Sequence, residues 1–265
     1  MKIWTSAEKA LAFKDFGDIW NNKSARSALI LVPLFMAFIL PILFLVLLLH
    51  APLKNMNGVD QMLRLISDQA AGLDQRQGIF YLMTNMICPM LFLMIPLLSS
   101  CVASARSLVG EKESGTLETL LLTPLSARKI FKAKILGCIL LSALITAISF
   151  VVFSIVIAVG DMILSMPFYL NWNWVVLVFL LSPTIIFFGA VFMALISVGR
   201  NKYTELIQTS GYLVLPVVLL FTLQFTGLFR VKTALLLFTS GVLFLVDVLL
   251  CFLAVRRFTP EKLLR

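Results

Sequence analysis

The sequence predicts an all-α integral membrane protein with six transmembrane helices. Of its 265 residues, 60% are hydrophobic and only 13% are charged, whereas about a quarter of the residues in a soluble domain are charged. The apolar residues are grouped in long runs, and the short segments between the runs are rich in lysine and arginine. A bilayer accounts for this grouping better than one buried core does, because each run is long enough to cross the hydrocarbon.

Six windows define a transmembrane domain over residues 28–254. Each has the roughly 20 helical residues needed to cross the hydrocarbon core. The windows lie near residues 28–50, 79–105, 135–160, 174–198, 210–229 and 233–254. Prolines interrupt several windows, which predicts bent helices whose neighbours satisfy the freed carbonyl groups. These prolines are Pro33, Pro41, Pro89, Pro96, Pro183 and Pro216.

An even number of spans places both chain ends on the same side of the membrane, and the basic residues indicate which side that is. One side holds 17 of the 22 Lys and Arg residues, namely Lys2, Lys9, Lys14, Lys23, Arg26, Arg106, Lys112, Arg128, Lys129, Lys132, Lys134, Arg200, Lys202, Arg256, Arg257, Lys262 and Arg265. The other side holds Lys54, Arg64, Arg76, Arg230 and Lys232. Because cytoplasmic segments carry the excess of positive charge, we expect both termini in the cytoplasm.

The segments that flank the transmembrane domain are expected to be cytoplasmic. Residues 1–27 are expected to include an amphipathic helix in the membrane interface, with Trp20 at headgroup depth. Residues 255–265 form the expected tail. The first apolar run is longer than the apolar region of a signal peptide, so we expect no cleaved leader. The net charge of +9 fits contact between juxtamembrane segments and the anionic lipid bilayer, and no nucleic-acid partner is expected.

The sequence lacks the motifs that are typical of metal, nucleotide and catalytic sites. Its four cysteines lie inside apolar runs without metal-ligand spacing, and it has one histidine. It contains no G-x-x-x-x-G-K-[ST] phosphate loop and neither of the hydrolase motifs HExxH and G-x-S-x-G. We therefore expect no catalytic residues, no metal, no cofactor bound by this chain and no ATP hydrolysis by the chain alone.

The second connection on the basic side, residues 106–134, is too long and too patterned for a simple turn. Gly115 interrupts a polar helical segment, and the residue before Pro124 is pushed away from the helical region. Ser126 can then cap a helix that leads into the third span. The expected result is a helical elbow, and its exposed apolar and acidic side chains are suited to a groove on another protein. These side chains are Leu117, Leu120, Leu121, Glu111, Glu113 and Glu118.

This elbow resembles the hallmark of the ABC-2 type permeases, the membrane subunits of a class of ABC exporters. Their pattern is an acidic stretch, Gly-Thr-Leu-Glu, a leucine run, Thr-Pro and a basic helix leading into the third of six spans. The matching residues here are Glu111, Glu113, Gly115, Thr116, Leu117, Glu118, Leu120, Leu121, Thr123 and Pro124. The resemblance implies a type V exporter-like architecture. It also implies that the elbow and the N-terminal amphipathic helix form the surface that receives an ATPase.

The resemblance further implies the rest of the transporter. Two copies of a separate ABC ATPase would bind ATP and Mg, and a second permease copy would complete a homodimer or a heterodimer. The chain would be a multi-pass protein of a prokaryotic cytoplasmic membrane. Two alternatives stay open: a secondary transporter or channel that works without ATP, and an ABC-type permease that acts in peptide sensing or immunity.

A few polar residues within the apolar runs are candidates for a substrate path. Asp247 lies deep in the sixth run, where a charge costs at least a few kcal/mol unless it is paired or neutralised. It is either a transport residue, or a protonated or hydrogen-bonded structural one. The other candidates could line the path or form interhelical hydrogen bonds. They are Asn85, Gln224, Thr146, Thr222 and Ser240.

Overall fold

Helices form all of the regular structure in the described part of the chain. A computed structural model describes residues 6–50, 73–113, 115, 127–197, 199, 202–225 and 233–257. The α-helices in chain order are α1 (Ser6–Asn21), α2 (Lys23–Leu34), α3 (Leu40–His50), α4 (Gln75–Leu82), α5 (Cys88–Glu113), α6 (Ala127–Ile163), α7 (Trp172–Val176), α8 (Ser182–Ser197), α9 (Tyr203–Phe225) and α10 (Thr233–Arg257). Three π-helical segments, Phe35–Ile39, Met83–Ile87 and Leu177–Leu181, join α2 to α3, α4 to α5 and α7 to α8.

Five stretches of continuous helix among the described residues are long and apolar enough to cross a membrane. They are Lys23–His50, Gln75–Glu113, Lys129–Ile163, Trp172–Ser197 and Thr233–Ala254. The remaining predicted window, residues 210–229, overlaps α9. Residues 226–232 and residues 51–72 lie outside the described residues. The prediction of an all-helical protein with several membrane-spanning helices is therefore confirmed for the described residues, while the sixth span and the side of the termini stay predictions.

The π-helical segments explain how the chain accommodates three of its prolines. Each segment ends two residues before a proline, at Pro41, Pro89 and Pro183. A proline inside an α-helix lacks an N–H and clashes with the carbonyl four residues earlier, and a single π turn shifts the hydrogen-bond register to relieve this. The π segments interrupt the α-helices at these three prolines, while the predicted bending stays a prediction. Pro96 and Pro216, in contrast, lie within α-helix.

Helix α5 is the central element of the fold. It contacts α2, α6, α8 and α9, and most of its residues are buried on every side. Small residues allow this close packing. Two of the four buried serines in α5 donate to carbonyls of the same helix, Ser99 to Pro96 at 3.2 Å and Ser100 to Leu97 at 2.9 Å.

The outer helices present apolar side chains on their free faces. Leu47 on α3, Ile155 on α6 and Leu245 on α10 are all more than half exposed. A soluble monomer rarely exposes so much apolar surface, whereas lipid hydrocarbon is a suitable environment for it. The peripheral helices are therefore the lipid-facing elements of the fold.

The contact between α5 and α8 depends on the absence of a side chain at Gly189. A Cβ at this position would lie 2.1 Å from Ser100 Oγ and 3.3 Å from Ser100 Cβ. Because Ser100 is fully buried, it has little room to move away. Gly189 therefore determines how closely the two helices approach.

We predict that Gly189→Ala lowers the free energy of unfolding by about 1–3 kcal/mol through overpacking. In a Ser100→Gly background the same substitution should be neutral or stabilising, because the clashing atoms are gone. Gly241→Ala is the matched control, since a Cβ there meets nothing within 4 Å. Melting temperatures in detergent would measure this, and an equal loss from Gly189→Ala in both backgrounds would contradict it.

Candidate functional site

The end of α5 is the point from which the predicted elbow departs. Helix α5 ends at Glu113, and Gly115 adopts a φ of +68°, with its N–H donating to the Lys112 carbonyl at 3.2 Å. Glycine adopts this left-handed conformation without steric cost, and it commonly follows the last turn of a helix. The predicted interruption at Gly115 is confirmed. Helix α6 then begins at Ala127.

Helix α1 is docked against the ends of α5 and α6 by one of its faces. Asp15 and Ile19, one helical turn apart, are 3% and 1% exposed. Ile19 packs in an apolar cluster with Ala103 of α5 and Cys138 of α6. On another part of α1, Phe16 and Trp20 stack on each other with ring centroids 6.2 Å apart and stay substantially exposed. Burial at the membrane interface, as predicted for this helix, would suit that aromatic pair.

A buried lysine joins α1, α5 and α6. The Lys134 ammonium lies 3.1 Å from Asp15 Oδ1 and 3.1 Å from Glu111 Oε2, and it donates to the Ser107 carbonyl at 3.0 Å. Asp15 and the Ser107 carbonyl accept hydrogen bonds from the ammonium, and Glu111 lies beside it as an ion-pair partner. Ser107 Oγ also donates to Asp15 Oδ2 at 2.9 Å. We call Asp15, Ser107, Glu111 and Lys134 the α1–α5–α6 ion cluster.

The cluster is buried but close to charge balance. Asp15, Glu111 and Lys134 are each no more than 6% exposed. The Glu111 carboxylate is also balanced by Lys14. The Lys14 side chain is half exposed, and its Nζ lies 3.4 Å from Glu111 Oε1. Burial raises the pKa of the Asp15 carboxyl, and the Lys134 ammonium and the Ser107 hydroxyl oppose that rise. Removing one partner of such a cluster leaves an uncompensated buried charge.

The two residues that follow Glu111 contact two further helices. Lys112 Nζ donates to the carbonyl of Ser197, the last residue of α8, at 3.2 Å. Glu113 Oε1 accepts from the N–H of Tyr203, the first residue of α9, at 2.7 Å. A cation at a helix C-terminus and an anion at a helix N-terminus both interact favourably with the helix dipole. The last turn of α5 therefore contacts α1, α6, α8 and α9.

The structure describes only part of the predicted elbow. Glu111 and Glu113 both bind within the chain, so a partner could reach the Glu111 carboxylate only if the cluster opened. Gly115 is exposed. The remaining predicted coupling residues, Thr116, Leu117, Glu118, Leu120, Leu121, Thr123 and Pro124, lie outside the described residues, as does the proposed cap Ser126.

Asp15, Ser107 and Lys134 were not among the candidates from the sequence. Lys134 is one of several basic residues before the third apolar run. It differs from Lys132 in its burial, because the side chain of Lys134 is buried and that of Lys132 is exposed. The neighbours of Lys134, Ala133 and Ile135, are buried, as are Ile130 and Phe131 about one turn earlier. Asp15, however, lies 92 residues from Ser107 and 119 from Lys134, so its pairing requires the fold.

The predicted substrate-path residues do not converge on one site among the described residues. Asn85 lies in the π segment Met83–Ile87, donates to Tyr81 O at 3.1 Å and accepts from Asn171 Nδ2 at 2.5 Å. The second bond joins the π segment to the N-cap residue of α7. Asp247 is buried between α8 and α10. The side chain of Gln224 lies outside the described residues, and a substrate role for all three stays a prediction.

The three hydroxyl candidates bond to their own helices instead of to a neighbouring one. Thr146 donates to Ser142 O at 2.8 Å, and Thr222 to Leu219 O at 2.8 Å. Ser240 lies 3.4 Å from Leu237 O in the same way. These are the local bonds by which serine and threonine satisfy themselves in a helix. Among the described residues, none of the three forms the interhelical hydrogen bond that was one of its two possible roles.

Comparison with known families agrees with the arrangement of helices and the sequence of the elbow. The profile of the ABC-2 family transporter proteins matches residues 9–254, nearly the whole chain. The chain belongs to the ABC-2 transporter family. No curated protein sequence matches it. In this ABC-2 protein, the matched region includes α1 from Lys9 onward as well as the elbow and the membrane helices.

The ion cluster gives the ABC-2 chain a rigid connection at the base of the elbow. Each end of the elbow is anchored in it, Glu111 on the incoming helix and Lys134 on the outgoing one. Displacing either end without the other would separate a buried ion pair, which costs several kcal/mol. The two ends therefore move as one unit with α1.

We predict that Lys134→Met lowers the free energy of unfolding by about 3–5 kcal/mol, because Asp15 and Glu111 lose their buried counter-ion. Lys132→Met, on the exposed side of the same helix, should change it by no more than about 0.5 kcal/mol. Adding Asp15→Asn and Glu111→Gln to Lys134→Met should recover much of the loss. Thermal unfolding in lipid nanodiscs measures all of these variants, and equal effects at positions 132 and 134 would contradict the prediction.

Proposed function

We propose that this chain is the permease subunit of an ATP-driven exporter, coupled to a separate ABC ATPase through residues 111–134. Its membership of the ABC-2 family supports a transport role. The observation that carries the coupling role is the ion cluster, in which the two ends of the elbow and α1 are held together by Lys134. The proposal includes six spans, both termini in the cytoplasm, two permease copies and two ATPases that bind ATP and Mg.

In this proposal the elbow transmits motion from the ATPase to the spans. ATP binding draws the two ATPases together and moves the docked elbows as rigid bodies. Because Glu111 lies in the last turn of the span Gln75–Glu113 and Lys134 lies near the start of Lys129–Ile163, the displacement reaches two membrane helices directly. The Lys112 and Glu113 contacts carry it to α8 and α9. The differential affinity of the ATPase for the two states then supplies the driving force.

The docking role has a direct test. We predict that Glu118→Lys combined with Leu120→Asp abolishes co-purification of the ATPase and the ATP hydrolysis that depends on the permease. The tagged chain would be purified from its native membranes, and bound ATP-hydrolysing subunits identified by mass spectrometry. Asp60→Lys with Leu63→Asp makes the same chemical changes on the opposite side of the membrane and is expected to have no effect. Unchanged association in the elbow variant would exclude the elbow as the docking site.

The proposed orientation has its own test. A fluorescent protein fused after Arg265 should fluoresce in the cytoplasm, because 17 of the 22 basic residues flank that side. Alkaline phosphatase inserted after Arg64 or Arg230 should be active, since both positions are expected outside. An active phosphatase fusion at Arg265 would contradict the even number of spans or their orientation.

A further inference from the structure

A lateral groove lies between α8 and α10, with a volume of about 600 Å³. It is lined by Pro183, Thr184, Phe187, Phe244, Asp247, Val248, Cys251 and Phe252. Both helices belong to predicted membrane spans, and the rim residues Phe244, Val248 and Phe252 are more than half exposed. The groove therefore opens toward the surroundings of the helices, which in a membrane are lipid chains or another helix.

The groove contains a carboxylate without a partner. Asp247 is 2% exposed, and neither of its side-chain oxygens has a hydrogen-bond partner among the described residues. The other two buried aspartates both have one: Asp15 binds Lys134, and Asp161 accepts from the Tyr169 N–H at 2.9 Å. Burying an unpaired carboxylate costs free energy. A cation or a strong hydrogen-bond donor placed beside the carboxylate offsets that cost.

The lining indicates which kind of partner fits. Phe187, Phe244 and Phe252 supply aromatic surface, and aromatic faces attract organic cations. Thr184 donates its hydroxyl hydrogen to Leu181 O at 2.8 Å, so toward the groove it offers only an acceptor. One carboxylate and one hydroxyl are too few oxygen ligands for a bare metal ion, which takes about six. An organic cation with apolar substituents suits both the charge and the walls.

We propose that this groove binds a lipophilic organic cation from the bilayer, with its positive charge at Asp247 and its apolar groups among Phe187, Phe244 and Phe252. As a substrate subsite this rests on the proposed transport function, but the binding itself does not require an ATPase. Entry from the lipid is direct, since the groove is open at its exposed rim. A helix of a second copy is the competing occupant. It could fill the apolar walls, and it would then need to bring a donor to Asp247.

The binding test uses the full chain, purified and placed in nanodiscs of neutral phosphatidylcholine. The probe is methyltriphenylphosphonium, and its neutral near-isostere triphenylphosphine oxide is the ligand control. We expect saturable binding of the cation. Asp247→Asn should weaken it at least tenfold, as loss of one partner of a buried charge pair does, while leaving the neutral ligand unchanged. Asp161→Asn is the matched variant, since it also removes a buried carboxylate charge, and it should leave both affinities within about twofold.

Two further measurements separate a loss of binding from a loss of folding. Val248→Trp retains the carboxylate but fills the groove, and it should abolish binding of both ligands. Ligand-free Asp247→Asn should melt no lower than wild type, because it removes an unpaired buried charge.

Absence of saturable cation binding by the wild type, or equal cation affinity in wild type and Asp247→Asn, would overturn the proposal. A changed oligomeric state in Asp247→Asn with unchanged cation binding would assign the groove to a second copy. Loss of ATPase docking in the elbow variant would leave these results untouched.

Discussion

The arrangement of the helix ends depends on one buried ammonium. Lys134 can occupy an interior position because Asp15 and Glu111 balance its charge and because Asp15 and the Ser107 carbonyl accept its hydrogen bonds. The reverse also holds, since the two carboxylates would be costly to bury without it. Helix α1 supplies one of these carboxylates from a distant part of the sequence. Helix α1 therefore cannot separate from the membrane helices without leaving buried charges unpaired. It is mechanically part of the membrane domain.

Helix α5 extends the influence of that cluster to the rest of the protein. Its small residues let α8 approach closely, as at Gly189 and Ser100, and its last turn binds the ends of α8 and α9 through Lys112 and Glu113. A force applied beyond Glu113 therefore acts on a helix that is packed on all sides. Densely packed interiors transmit displacement instead of absorbing it. The position of the elbow after α5 is thus suited to moving several helices at once.

Much of the fold could be predicted from the sequence because its strongest signals are local. Hydropathy over about 20 residues indicates a span, and glycine or proline marks a break, as at Gly115 and before Pro41, Pro89 and Pro183. The form of the breaks, a π turn before each of these prolines, was not predicted. The ion cluster was missed for a related reason. Lys132 and Lys134 are alike in sequence, and only the docking of α1 makes one solvated and the other a buried counter-ion. The motif included Glu111 and Glu113 but did not indicate the contacts that they make within the chain.

The three buried aspartates show how the same side chain acquires different roles from its surroundings. Asp15 is held by an ammonium and a hydroxyl, and Asp161 by the Tyr169 N–H in the segment after α6. In both, the protein supplies the donors, so the carboxylate stabilises a particular arrangement of helices. Asp247 has apolar neighbours and an opening toward the lipid side. Nothing in its described surroundings repays the cost of its burial, although a hydrophobic residue of similar volume would avoid that cost entirely. A residue that is unfavourable in the isolated chain is best explained by a state in which a ligand is bound. The groove provides the space for that ligand, and Asp247 provides the negative charge opposite its positive one.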